Sequence, residues 1–243
     1  MKKIVLLFCT LICTNVLMAQ FVSRDEVTYQ IIGPNSVKVY SYDGTDSVLI
    51  IPSHITYNGT NYTVTEIGYY AFNSNDVLIS VDIPNSVTSI EEGAFYHCDN
   101  LRTLYFNAIN CNDFNFTPFY YCPISTIHIG DSVQRIPAYF SYGLNGLTTV
   151  TIPNSIDSIG NYAFNNCSNL RNIISLANIP PSLGSYCFSN IPNDATVEVP
   201  CSGLQSYMSS SWSNYFSNIE ILLCTYHPSS IGFFKIFSEI LIT

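Results

Sequence analysis

A repeat of 23 residues constrains this chain more than any other feature. Val81 to Thr103, laid without a gap on Val150 to Asn172, matches at 13 of 23 positions, and the offset of 69 is three periods. Two looser copies, Leu104 to Thr126 and Ile127 to Thr149, fill the interval. The second keeps Ile129, Val133, Ile136 and Leu147 in register but brings Phe140 one residue early. The first keeps Leu104, Phe106 and Ile124, with Phe119 and Cys122 one place late. Such slips fit loops that absorb an insertion while core positions hold. An earlier copy starts near Leu49, carries an insertion after Ile51-Pro52 and resumes over Val64 to Phe72. A later one, Ile173 to Thr196, has Tyr186-Cys187-Phe188 where its neighbour has Tyr162-Ala163-Phe164. Self-similarity at this period means stacked units, none able to bury its apolar face alone.

Each unit has a physical reading. In Thr149-Val150-Thr151-Ile152-Pro153 apolar residues alternate, so Val150 and Ile152 share one face of a strand. Pro153 lacks a ladder donor and ends it. Asn154-Ser155 form a turn, and Ile156 with Ile159 begin a second extended piece. Ala163-Phe164 and Cys167 suit one helical or 3₁₀ turn, and Leu170 closes the coil. The expectation is an α/β, strand-rich repeat solenoid, a right-handed superhelix with capping units at its ends.

The same alternation names a surface. Residues between the core-facing positions of each strand point outward. Asp82, Tyr105, His128 and Thr151 then form one column, and Thr103, Thr126, Thr149 and Asn172 a flanking one. Together they are the candidate binding face.

Composition narrows the partner. The formal net charge is −9 with 10% charged residues, 47% hydrophobic and 14% aromatic. That is too apolar for disorder, and its sign argues against nucleic acid and anionic membranes. Lys2-Lys3, the apolar run from Ile4 to Val16 and Leu17-Met18-Ala19 read as a secretory leader cut before Gln20. No later segment has the length of a membrane span. Of nine cysteines, Cys9 and Cys13 leave with the leader. Cys98 and Cys167 share one repeat slot, with Cys122 one place off, and read as buried thiols acting as small hydrophobes. Cys187 takes the small-residue slot of Ala163. Cys201 and Cys224 lie outside the ladder and are the disulfide candidates.

The residues I-P-x-S-V-x-x-I-x-x-x-A-F-x-x-C-x-x-L resemble the BspA-like leucine-rich repeats of exported bacterial proteins over roughly residues 49–196. Flanking segments resemble the same proteins. Val27 to Tyr42, around Gly33-Pro34-Asn35, looks like a capping hairpin. Val197 to Ile219, with Tyr207, Trp212 and Tyr215-Phe216, looks like a closing unit. The division that follows is a leader at 1–19, a capping hairpin at 20–48, repeats at 49–196, a closing unit at 197–225 and a tail at 226–243. The resemblance implies a secreted or cell-surface, non-enzymatic adhesion protein whose partner is an extracellular protein or glycan. A carbohydrate-binding accessory protein, suggested by 18 Tyr and 15 Phe, and a polysaccharide-acting solenoid enzyme are the alternatives. Exposed planar aromatics in a row favour the former, flat polar stripes a protein partner.

Catalytic motifs do not assemble. His54, His97, His128 and His227 are scattered. Glu91, Glu92 and Asp99, like Asp43 and Asp46, read as solvated loop carboxylates without ligand spacing. Neither cofactor nor metal is expected. Asn58-Gly-Thr60 matches a glycosylation sequon without implying modification in a bacterial chain.

Overall fold

The computed structural model describes residues 20–222. The expected leader at 1–19, Cys224 and the tail at 226–243 lie outside the described residues. Short main strands open successive coils at Val48–Ile50, Ser80–Ile83, Thr103–Phe106, Thr126–Ile129, Thr149–Ile152, Asn172–Ser175 and Thr196–Val199, numbered here one to seven, and Asn218–Ile221 follows. Their outer and inner positions alternate as expected: Val150 and Ile152 are buried, Thr149 and Thr151 exposed. Pairing is parallel and puts equivalent residues side by side, Ser80 beside Thr103 beside Thr126, and Thr149 beside Asn172 beside Thr196. A shorter second row carries Arg135–Ile136, Ser158–Ile159 and Ser182–Leu183. Coil three has no strand in that row.

Where one helical or 3₁₀ turn per coil is expected, the structure has i→i+3 bonded turns, as Ala163 to Gly160 and Asn165 to Tyr162 in coil five. In coils one, two, four, five and six the Ala-Phe segment is a tight double turn in which two residues take positive φ, as Tyr162 at 57° and Asn166 at 59° do in coil five; in coil three Tyr121 alone does. A left-handed residue stops helical propagation, so the turn closes without becoming a helix. Among the described residues the one α-helix is Leu204–Met208. The molecule is a strand-rich repeat solenoid with little helix.

Both ends of the stack are covered. Phe21–Arg24, Val27–Gly33 and Ser36–Tyr42 pair antiparallel, and the third of these runs parallel to Thr60–Ile67. The insertion of coil one is itself a hairpin, His54–Tyr57 against Thr60–Ile67. Asn58 and Gly59 close it at φ 47° and 79°, the two positive values that a two-residue primed turn demands. What Asn58-Gly-Thr60 encodes structurally is therefore this turn. At the other end Trp212 and Phe216 are buried against Phe188, and Tyr207 is buried against Trp212. The Tyr207 hydroxyl lies 2.6 Å from that of Ser175, and Trp212 Nε1 donates to the Pro181 carbonyl at 2.8 Å. Large rings thus close the core without stranding a polar tip.

Inside, phenylalanines stack from coil to coil. Phe72 and Phe95 are 4.6 Å apart, Phe95 and Phe119 5.2 Å, Phe164 and Phe188 5.2 Å. Coil four breaks the row. Ser141 donates its backbone N–H to Ala163, as Phe164 does to Cys187, so Ser141 holds the phenylalanine position. Phe140 sits one residue earlier, in the alanine position, and packs on Phe106 at 4.9 Å. The early aromatic is thus a swap of large and small residues inside the core, not a loop adjusting around it. Both side chains are buried, and the Ser141 hydroxyl donates to the Ala163 carbonyl at 2.7 Å.

Candidate binding surface

All eight residues of the expected columns lie on the outward face of the main strands. Asp82, Tyr105 and His128 are register partners, as are Thr103 and Thr126. Thr149 pairs with Asn172, and Thr151 with Ile174. Tyr105 and His128 stack face to face, 4.5 Å between centroids and 15° between planes. Asp82 accepts a hydrogen bond from the Asn107 side chain at 2.8 Å. The columns run beyond the expected eight, through Thr196 and Glu198 to Asn218 and Glu220. The alternation in Val197-Glu198-Val199 and Ile219-Glu220-Ile221 carried that signal.

The face is not one sheet. Coils one to four form one four-stranded sheet, and coils five to seven with Asn218–Ile221 form another. Thr126 and Asn172 donate their amides to the Arg102 and Thr148 carbonyls at 3.1 and 3.2 Å, but the equivalent Thr149 makes no such bond among the described residues. Pro153 also gives no bond across the seam, although Pro84 and Pro200 hold the same slot within paired sheets. Gly130 and Leu176, its counterparts, bond back to Phe106 and Ile152 at 2.9 and 3.0 Å, whereas proline has no N–H to give. A groove of about 580 Å³ follows the seam, lined by Thr126, His128, Asp131, Thr149, Thr151 and Leu176. One face of His128 is covered by Tyr105, and the next position of the column holds only Thr151. Neither Asp131 nor Leu176 was expected at the site; each lies just past a strand end, where alternation no longer assigns a direction.

The cysteine slot is structural. Cys98, Cys122 and Cys167 are buried, and their Sγ–H groups donate to the carbonyls of Phe72, Phe95 and Ser141 in the preceding coils at 3.0, 2.9 and 3.1 Å. A small side chain with one weak donor fills this position. Burial pushes the Cys167 thiol up to about 11 and that of Cys111 up to about 12. The Cys98 thiol and then burial push Cys122 up, and burial raises Cys187. Such thiols stay protonated and unreactive at neutral pH. Cys201 is exposed; its expected partner is outside the described residues. Among the described residues no three His, Cys, Asp or Glu side chains converge on a metal-sized site. No helix there is long and apolar enough to cross a membrane.

Parallel coils around a ladder of Ile, Phe, Cys and Leu, with a flat outward strand face, define a leucine-rich-repeat scaffold of the bacterial surface-protein type. The chain belongs to the BspA type leucine-rich repeat family, whose repeat matches in six copies over residues 51–145 and 136–234. No curated protein matches it. Among solved structures it is similar to a leucine-rich cell surface protein of Faecalibacterium prausnitzii A2-165, with 16% identity over 86% of this chain and 96% of that one at a TM-score of 0.35. A leucine-rich repeat protein of Bacteroides capillosus shares 19% identity over 83% and 98% of the two chains, TM-score 0.36. One from T. pallidum shares 22% over 74% and 91%, TM-score 0.44. Similarity at this level adds nothing to the family assignment.

Proposed function

We propose that the chain is an exported, non-enzymatic adhesion protein that docks an extracellular protein on the outward face of its main strands. The observation that carries this reading is the Tyr105–His128 stack at the seam between the two sheets. Two aromatic rings on a rigid face, beside an apolar rim at Leu176, have the makeup of an interface anchor. Little ordering entropy is lost when such a face binds. The outward positions of the main strands include Asp82, Glu198 and Glu220 but no Lys or Arg. A partner with a basic patch is therefore favoured, and its binding weakens as salt rises.

The finer features of the reading follow the family. The chain is a right-handed coil divided at the boundaries given above, its leader is removed near Ala19, and Cys201 pairs with Cys224 once exported. An intact Met1 in the mass spectrum of the exported protein contradicts the leader. Binding is tested by surface plasmon resonance over an immobilised extracellular-matrix fraction. Tyr105→Ala with His128→Ala weakens it by more than about 2 kcal/mol, the scale of an interface hot spot, while thermal unfolding is unchanged. A folded double variant that binds like the parent places the interface elsewhere.

A further inference from the structure

The opposite edge of the coils, where the double turns lie, is a tyrosine surface. Tyr139, Tyr162 and Tyr186 stack at 5.0 and 5.2 Å, and Tyr96 on Tyr120 at 6.1 Å. Tyr162 spends both faces on its neighbours, whereas Tyr186 ends its row with one stacked neighbour and is 57% exposed. Tyr121 is set apart by what lies beside it in the next coil. Tyr121 is 56% exposed and stacks one face on His97 at 4.5 Å. In the next coil the same slot holds Gly143, at φ 74° with open space where a Cβ would stand. Tyr120 lies tilted against Tyr121 at 4.2 Å and Tyr96 meets it edge-on at 5.7 Å, but among the described residues no ring of coil four stacks on it.

The backbone is open there too. Ser74, His97, Gly143 and Asn166 occupy this slot in coils one, two, four and five, and each donates its N–H to the following coil at 2.8 to 3.1 Å. Among the described residues Tyr121 makes no such bond to coil four. The result is a notch of about 440 Å³ lined by Tyr120, Tyr121, Tyr142, Gly143, Asn145 and Asn166, with no charged residue in its lining. The Tyr142 hydroxyl accepts from Asn166 Nδ2 at 2.9 Å and keeps its own proton to donate. Asn145 uses Oδ1 on Ser168 at 2.8 Å and its backbone carbonyl on Asn169 at 2.7 Å. Its Nδ2 amide has no partner among the described residues.

From these groups we infer that the notch between coils three and four binds a pyranose unit of a neutral polysaccharide. A pyranose has an apolar C–H face and a rim of hydroxyls, which match the open Tyr121 ring and the unspent Tyr142, Asn145 and Tyr121 donors. An arginine or carboxylate side chain would be desolvated there with no counter-charge. A purely apolar side chain would leave the amide and phenol unmatched. This site lies on a different edge from the main-strand face and does not depend on the protein-binding reading.

Affinity electrophoresis of the full chain through gels containing yeast mannan, galactomannan, xyloglucan or mixed-linkage β-glucan tests it, with polygalacturonate and hyaluronate as anionic controls. At least one neutral polymer retards the chain, and the anionic ones do not. Tyr121→Ala and Asn145→Ala each weaken retardation about tenfold, the scale of losing one good stacking or hydrogen-bonding contact. Gly143→Asn refills the slot with a residue already found there at Asn166 and abolishes retardation without unfolding. Tyr186→Ala, at the far end of the row, and the Tyr105/His128 double variant bind as the parent does. The inference is overturned if no neutral polymer retards the parent, if folded Gly143→Asn still binds, or if Tyr186→Ala loses as much as Tyr121→Ala.

Discussion

Coils five and six repeat cleanly, whereas coils three and four do not, and both candidate sites lie in or beside the irregular pair. In the clean region main strands, second-row strands, phenylalanines and double turns each continue from coil to coil. A continued ladder hides its own groups, because each ring face and amide is spent on the next coil. Coil three carries one extra residue before Tyr121 and one fewer between Tyr121 and the next main strand, so the slot spacing of 23 becomes 24 and then 22, whereas coil six carries the extra residue before Asn190 without the later deficit. That compensated slip uncovers the Tyr121 face and its amide. On the strand face the ladder stops at Thr149, leaving Thr151 beside the His128 ring. Regularity builds the scaffold, and its interruption exposes recognition groups.

The contrast is sharpest in the core. Phe164→Ala, in the clean region, removes a fully buried ring stacked on Phe188 and lowers the unfolding free energy by about 3–5 kcal/mol in a urea titration. Ser141→Ala, the same slot in coil four, loses the hydroxyl's contacts with the Ala163 carbonyl and the Cys167 thiol and costs about 1 kcal/mol. Equal losses at the two positions contradict the swap of large and small residues.

The cysteine slot gives a smaller effect. Cys98→Ala or Cys167→Ala destabilises by about 1–3 kcal/mol, through a small cavity and a lost donor. Thiol counting under denaturing conditions finds both free. Stability also falls with alkaline pH, and the sign is fixed by the raised thiols. A folded-state value near 11 at Cys167 or 12 at Cys111 exceeds the unfolded value of about 8.5. The unfolded chain therefore loses the proton first. The contribution is full below about pH 8.5 and is lost as pH climbs toward the folded values, by about 1 kcal/mol per thiol at one unit above 8.5. A urea midpoint that drops less from pH 7 to 9.5 in a Cys111→Ala/Cys167→Ala variant than in the parent, with the raised Cys122 and Cys187 thiols supplying the remainder, confirms the source; equal drops in both contradict it.

The smallest effect belongs to the notch. Gly143→Asn changes stability by less than about 0.5 kcal/mol, since asparagine tolerates left-handed backbone and the space is open. A loss of several kcal/mol in thermal unfolding shows that the glycine is there for packing.

How much of this was legible in the sequence depended on periodicity. Alternation in Thr149-Val150-Thr151-Ile152 fixes which side chains face out, so the sequence alone names the column of Asp82, Tyr105, His128 and Thr151. The cysteine slot was legible for the same reason. What alternation does not encode is whether neighbouring strands bond: Thr149 has the same local sequence whether or not Ser125 receives its amide. The slip at Phe140 was visible but ambiguous, because a loop insertion and a core swap shift a letter equally. Ala-Phe-x-x-Cys spacing is compatible with a helical or a 3₁₀ turn, and nothing in a tyrosine announces the positive φ that keeps the turn from propagating. Asn58-Gly59 was the one turn whose chemistry was plain and passed unread.

The central claim, that the ladders are interrupted at two seams, is tested most directly by native-state hydrogen exchange resolved residue by residue with NMR. The account predicts that the amides of Tyr121 and Thr149 exchange as exposed groups, while their counterparts His97, Gly143 and Asn166, and Thr126 and Asn172, are strongly protected. Protection at Tyr121 and Thr149 equal to that of their counterparts would mean that the ladders are continuous, and neither ring face would then be open to a partner.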